Sequence, residues 1–151
     1  MESQELGRRV RELLASQGLA VLATQRGGQP HTSLVAFAAT NDLSCLVFAT
    51  ERDTRKFTNL AADPRVALLV DDRSHRPADL AEATAVTATG PACEATGEQR
   101  ALLADLLLRK HPELKAFTAE AGCALIVVAV EAHQVVTRFQ SVVEFDPASY
   151  T

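Results

Sequence analysis

Residues 19–50, LAVLATQRGGQPHTSLVAFAATNDLSCLVFAT, hold three apolar, β-prone runs separated by two short polar turns. Gly27-Gly28, between the first two runs, predicts a tight hairpin, because paired glycines reach the positive φ angles that such turns require. The second run opens on Pro30, where a missing N–H costs a strand little, and continues to Thr40. Asn41-Asp42 predicts the next turn, and Ser44 to Thr50 a third strand. Consecutive strands with such short links pair antiparallel.

Elements of both kinds extend this hairpin ladder on either side. Leu6, Val10, Leu13 and Leu14 recur at helical spacing and predict an amphipathic helix over 3–17, with Gly18 as its stop. Downstream, Thr54 to Ala62 reads as a short helix ended by Asp63-Pro64, and Arg65 to Val70 as a strand. Residues 71–80, DDRSHRPADL, form a polar loop long enough to suggest a role. Glu82 to Ala95 reads as a long strand bent at Gly90-Pro91. Thr96, with Gln99 three residues on, predicts a capping box and a helix to Lys110. Pro112 opens a further short helix that Gly122 closes. Two strands, Ala124 to Glu131 and Gln134 to Phe139, follow, with a tight turn at Ala132-His133. About six strands with a few interposed helices predict an α+β fold whose antiparallel sheet closes into a barrel, in one domain spanning 1–151.

Composition narrows the function classes. The chain has 151 residues, with 15 Lys and Arg against 19 Asp and Glu and a net charge of −4. Aromatic residues make up 5% and Trp is absent, which argues against a nucleic-acid partner needing a basic face and stacking rings. The longest apolar run, Cys123 to Val130, is far shorter than the roughly 20 residues of a membrane helix. The N-terminal MESQELGRRVRELL lacks the apolar core of a signal peptide, and Cys45, Cys93 and Cys123 are scattered without metal-ligand spacing. The expectation is a cytoplasmic protein whose cysteines are small buried hydrophobes, with no metal and no membrane partner. If such a chain binds an anion, it does so at a focused site.

That site is predicted at Ala49-Thr50-Glu51-Arg52-Asp53-Thr54-Arg55-Lys56. A helix start here offers free N–H groups and a positive dipole end, Thr54 suits the cap, and Arg55 and Lys56 add charge. On these residues alone the segment reads first as a solvated polar helix start. No nucleophile–base pair and no Gly-rich phosphate loop of the GxxxxGK type is present, so neither a hydrolase nor a nucleotide triphosphatase is indicated.

The ordered set Gly28-Gln29-Pro30-His31-Thr32-Ser33-Leu34-Val35-Ala36-Phe37-Ala38, Leu46 to Thr50, Thr54-Arg55-Lys56 and Ala62-Asp63-Pro64-Arg65-Val66-Ala67-Leu68-Leu69 resembles the pyridoxamine 5′-phosphate oxidase-like family of FMN-binding split β-barrels. The resemblance implies an α+β fold built on a six-stranded antiparallel split barrel with peripheral helices. It also implies a homodimer, FMN in a groove at the dimer interface, and oxidoreductase chemistry on a small-molecule substrate. Carried over residue by residue, it places Ser33, Leu34, Val35, Ala36, Phe37 and Ala38 beside the flavin ring. Ala49 and Thr50 match the end of the next strand, and Thr54, Arg55 and Lys56 match the family's phosphate-binding Ser/Thr-Arg-Lys, with Arg52 as a possible helper.

The departures are equally informative. Pyridoxamine phosphate oxidases carry an Arg and a Lys at the positions of Ser33 and Ala38, and a glutamine near Ala85. Their C-terminal Trp and Arg-x-His elements have no counterpart, which points away from vitamin B6 synthesis. A deazaflavin on the same fold, a haem-binding or haem-degrading split barrel, and a non-enzymatic flavin carrier are the alternatives. The haem reading needs an iron ligand among His31, His75, His111 and His133. Of these, His31 is expected at a partly exposed strand end, His75 in a loop that could cover the flavin, His111 capping a helix and His133 solvated in a hairpin turn. Arg138-Phe139-Gln140 could contact the partner's flavin, and Leu102 to Leu108 forms an ordinary core or dimer face.

Overall fold

The apolar runs pair as the hairpin reading requires, and the sheet they form closes on itself. In the computed structural model, which describes residues 2–138 and 141–150, the order along the chain is α1 Ser3–Ser16, β1 Leu19–Arg26, β2 Gln29–Ala39, β3 Cys45–Glu51, α2 Arg55–Ala62 and β4 Arg65–Asp71. There follow α3 Asp79–Glu82, β5 Thr84–Glu94, α4 Gly97–Lys110, α5 Lys115–Ala119, β6 Cys123–Ala129, β7 Ala132–Thr137 and β8 Ser141–Phe145. Strands β1, β2, β3, β6, β5 and β4 form an antiparallel ring in that order, with β4 pairing back to β1. Strands β7 and β8 extend the sheet from β5. This is an α+β split barrel, six-stranded and closed, with two further strands.

Two long strands turn the corners. β2 pairs with β1 from Gln29 to Ala36 and with β3 from Phe37 onward. β5 pairs with β4 and β7 along its first part and with β6 from Ala92 to Glu94. The β5 corner falls at Gly90, where an added Cβ would stand 1.9 Å from the Ala129 carbonyl oxygen. Only glycine lets the two backbones approach this closely. At the β1–β2 hairpin, Gly27 and Gly28 have φ +58° and +84°, as the turn requires.

Burial patterns show which faces are covered. The barrel interior holds Leu22, Phe37, Phe48, Leu68 and Ile126, and α1 adds Leu6, Val10, Leu13 and Leu14 to the same cluster. A second cluster joins Leu103 and Leu107 of α4 to Ala38, Val47, Leu125 and Val127. β6 is therefore buried on both faces from Cys123 to Val128, which is why its sequence is continuously apolar rather than alternating. β1 and β4 alternate instead, one face in the core and the other only half-buried.

Several sequence expectations are corrected. α1 closes at Gln17, whose N–H bonds the Leu13 carbonyl in extended conformation, so Gly18 is not a left-handed stop. Thr96 makes no side-chain cap bond; Gly97 enters α4 at φ +60° and the capping box does not form. The β6–β7 turn lies at Val130-Glu131, which puts His133 inside β7 with no exposed surface. Strand β8 was not expected; β7 ends at Thr137, and Phe139 and Gln140, expected at a strand end and against the partner's flavin, lie outside the described residues. Of the cysteines only Cys123 is buried, while Cys93 is exposed and Cys45 intermediate. In α4, Leu103 and Leu107 are core but Leu102 is 73% exposed. Among the described residues no helix is long and apolar enough to cross a membrane.

His133 Nε2 lies 3.1 Å from the Leu43 carbonyl. Leu43 is itself fully buried at φ +65° in the β2–β3 turn, a strained conformation for a non-glycine residue. The histidine thus holds the turn from behind, with Phe145 6.2 Å away. Burial pushes the His133 pKa below its ordinary 6.5, more than the Leu43 hydrogen bond raises it.

Two outcomes follow. Gly90→Ala should destabilise the protein by about 2–3 kcal/mol in urea unfolding, because backbone rather than a mobile side chain must move. For His133, the folded pKa lies below the unfolded one, so the unfolded chain takes up protons first. Stability is then complete above about pH 6.5 and falls by up to about 1.4 kcal/mol per unit below it. Urea curves at pH 5.5 and 7.5 should show this loss in the wild type and a smaller one in His133→Gln.

Candidate functional site

The sequence around residues 49–60 builds a helix start against a buried strand end. Thr54 is the N-cap of α2, its hydroxyl accepting from the Phe57 N–H at 3.4 Å and donating to the Glu51 carbonyl at 2.9 Å. The Thr50 hydroxyl, 2% exposed by residue, stands 3.0 Å from that of Thr54. Asn59 fixes the other side of the helix, donating from Nδ2 to the Thr24 hydroxyl on β1 at 3.1 Å within the core. Downstream, Asp63 pairs with Arg65, and the Pro64 carbonyl accepts from the Ala92 N–H at 2.8 Å. The helix start is thereby locked to β1, β3 and β5.

Beside it lies a hollow of about 240 Å³ lined by Leu34, Val35, Ala36, Ala49, Thr50, Glu51, Thr54, Lys56, Leu114 and Phe117. Seven of the residues that the sequence grouped are brought together here, from β2, β3 and the start of α2. The others are placed elsewhere. Phe37 is fully buried in the barrel, and Ala38 is buried beneath α4. Ser33 is half-buried, and its hydroxyl is shielded with no partner among the described residues. Arg55, which directly precedes Lys56 on α2, lines a second hollow of about 570 Å³ with Arg26, His31 and Asp53. Arg52 is committed to Glu94 at 2.5 Å and to the Ala121 carbonyl at 2.8 Å, so it does not assist at the helix start.

Leu114 and Phe117 are lining residues that the sequence reading did not single out. They come from the Pro112–Leu114 turn and α5, which reach the hollow only through the fold. Their one sequence signal was the Pro112 helix start, which marks an element and not its destination.

The histidines sort by environment. His111 caps the C-terminus of α4, as expected, its N–H bonding the Leu107 carbonyl, while its side chain is buried with Nε2 2.9 Å from the Phe37 carbonyl. With His133 on the Leu43 carbonyl, two of the four histidines have their Nε2 engaged by backbone. His75 is exposed at φ +62° in a loop organised by Asp79, whose carboxylate accepts from the N–H groups of Ser74, His75 and Arg76. Those bonds hold the Asp79 pKa down at about 2. The loop leaves the end of β4 opposite α2, and Asp72 and Thr84 at its base line a hollow with Arg9, Glu12, Leu13 and Ser16 of α1. Within this chain it therefore does not cover the helix start. Lys110 is likewise used structurally, donating to the Leu14 carbonyl at 2.6 Å and lying 3.9 Å above the Phe37 ring, with burial lowering its pKa to about 8.

Chemically, the smaller hollow is two-ended. Leu34, Ala36, Ala49, Leu114 and Phe117 make an apolar wall, and the Thr50–Thr54 hydroxyl pair, Lys56 and the α2 amide groups make a polar end. Lys56 forms no ion pair among the described residues.

Comparison with known proteins bears on this geometry. The sequence profile of the pyridoxamine 5′-phosphate oxidase family matches residues 6–136. The 5a,11a-dehydrotetracycline/5a,11a-dehydrooxytetracycline reductase of Streptomyces rimosus is 36% identical over 104 residues, covering 66% of this chain and 72% of the relative. Among solved structures, a heme-binding protein from Mycobacterium smegmatis superposes with a TM-score of 0.84 at 21% identity over 95% of this chain. This chain spans 59% of that protein's length. A FAD-binding protein from Mesorhizobium loti superposes with a TM-score of 0.63 at 20% identity, covering 85% of this chain and 90% of that one. At such identities the structural likeness speaks for the fold alone.

Proposed function

The chain belongs to the pyridoxamine 5′-phosphate oxidase family, and on that premise we propose that it is a cytoplasmic FMN-binding oxidoreductase acting on a small organic molecule as a homodimer. The observation that carries this reading is the two-ended lining of the 240 Å³ hollow, apolar along β2 and β3 and polar at the start of α2. A flavin mononucleotide is two-ended in the same sense, an apolar ring system joined through a polyol to a phosphate. The residues fit it. The unpaired Lys56 and the α2 amide groups suit a phosphate, and the Thr50–Thr54 pair can turn its hydroxyls toward the polyol.

A bound flavin supplies hydride chemistry at its N5. The chain's own residues supply position. Lys56 and the α2 start anchor the charged end, and Leu34, Leu114 and Phe117 exclude water from the apolar end. Glu51 is the single carboxylate of the lining and stands exposed. No histidine is among the described residues that line this hollow, and the role assigned to Lys56 and the Thr50–Thr54 pair is to hold and orient. The reductase activity of the Streptomyces rimosus relative supports reduction of an unsaturated substrate as the reaction class.

The second copy has a surface to occupy. Leu34, Val21, Leu69 and Thr87 stand in register across β2, β1, β4 and β5, on the outer face that the core clusters leave uncovered. Leu34 and Leu19 are 63% and 53% exposed. Because Leu34 also lines the hollow, a partner packed on this row would close the flavin site.

Titration of the purified protein with FMN, followed by quenching of flavin fluorescence, should show saturable binding, and its absence at high micromolar FMN would overturn the reading. Lys56→Ala should weaken binding about tenfold to a hundredfold, the range expected for one charge-assisted contact. Leu34→Glu should convert a dimer to a monomer in sedimentation and lower FMN affinity with it. A monomeric wild type would remove the interface from the proposal.

A further inference from the structure

Arg55 and Lys56 are consecutive on α2, so their side chains leave the helix about 100° apart. Lys56 lines the smaller hollow and Arg55 the larger, while Thr54 lines both. The two spaces flank the start of α2 and share Thr54 as a lining residue. The larger one, about 570 Å³, is bounded by Arg26, Gln29, Pro30, His31, Asp53, Thr54, Arg55, Thr58 and Asn59. Its volume lies in the range of small-molecule sites and exceeds what a single phosphate needs.

Its charged groups favour an anion. Arg52, Arg65, Arg73 and Arg109 are each paired with a carboxylate. Arg26 and Arg55 form no ion pair among the described residues, although both face this space. His31 contributes a shielded Nδ1 with no partner among the described residues. Asp53 is the one acid of the lining and opposes an anion. Asn59 and Thr58 are engaged with Thr24 and the Thr54 carbonyl, so recognition would fall to the two guanidinium groups and the imidazole.

We propose that the larger hollow is a second-phosphate subsite, so that the chain takes a flavin dinucleotide in preference to a mononucleotide. The inference rests on the flavin reading above and extends it. The first phosphate sits on the Thr54–Lys56 side, the second crosses the helix start to Arg55 and Arg26, and the nucleoside occupies the remaining volume. Guanidinium forks suit this role because they grip phosphate oxygens in pairs.

The test compares affinities for FAD and FMN in the full-length protein by fluorescence titration. The wild type should bind FAD at least tenfold more tightly. Arg26→Gln, at an exposed hairpin position, should bring the two affinities together by weakening FAD while leaving FMN unchanged, so retained FMN binding also reports intact folding. Asp53→Asn should widen the preference severalfold by removing the opposing charge. Equal wild-type affinities, or a preference that Arg26→Gln and Asp53→Asn leave untouched, would overturn the subsite and leave the FMN reading standing. Failure of the wild type to bind either flavin would overturn both.

Discussion

The barrel closes because β5 serves two neighbours at once. Along its first part it lies between β4 and β7, and past Gly90 it turns to meet β6. The turn is possible only because the Gly90 backbone approaches the Ala129 carbonyl so closely that no side chain fits between them. Without that corner β4 could still pair with β1, but the ring β1-β2-β3-β6-β5-β4 would remain open. β2 makes the opposite corner at Ala36-Phe37. Its outward residues before the corner line the candidate site, and Phe37 past it fills the core.

Closure also decides which surfaces remain available. A sheet wrapped into a ring has one interior, filled here by Phe37, Phe48 and the leucines of α1, and one exterior that helices cover only in part. α4 covers β3 and β6. The exterior of β1, β4 and β5 has no such cover, and its small and apolar residues stay half-buried at the sheet surface. The hollow beside α2 opens at the boundary between these regions, where Leu34 belongs to both. The candidate site and the proposed interface would both follow from the same uneven coverage.

Much of this was legible in the sequence, and the reason is local. The strand runs of residues 19–50, the glycine hairpin, the bend at Gly90-Pro91 and the Thr54 cap depend on chemistry within a few residues. The grouping of Leu34 to Ala36 with Ala49, Thr50, Thr54 and Lys56 came from the family resemblance that these short segments carry in order, and not from their local chemistry. What was not legible depends on distant partners. His111 reads in sequence as a helix cap and His133 as a solvated turn residue, but nothing local shows that both rings are buried with Nε2 on the Phe37 and Leu43 carbonyls. Arg52 resembles Arg55 in sequence, yet Glu94 claims it from another strand. Leu114 and Phe117 reach the hollow through a connection whose direction no local pattern encodes. Thr96 shows the converse, a good cap sequence left unused because Gly97 enters the helix in a left-handed conformation.

Charge gives the site its selectivity. The chain is acidic overall, at −4, and a ligand bearing phosphate meets a weakly repulsive field at long range. That field is screened over about 8 Å at physiological salt. Attraction is decided within a few ångströms, where pairing matters more than the total. Arg52, Arg65, Arg73 and Arg109 have carboxylates within 4 Å and contribute little to a neighbouring anion. Arg26, Arg55 and Lys56 form no ion pair among the described residues and lie around a single helix start, with Asp53 and Glu51 as the acids nearby. Four of the fifteen Lys and Arg are paired with carboxylates among the described residues, and these three unpaired cations are gathered at one helix start. On the proposed reading an acidic chain still offers a phosphate a favourable place beside α2, and the side of α2 that each cation faces would set how far beyond the first phosphate that place extends.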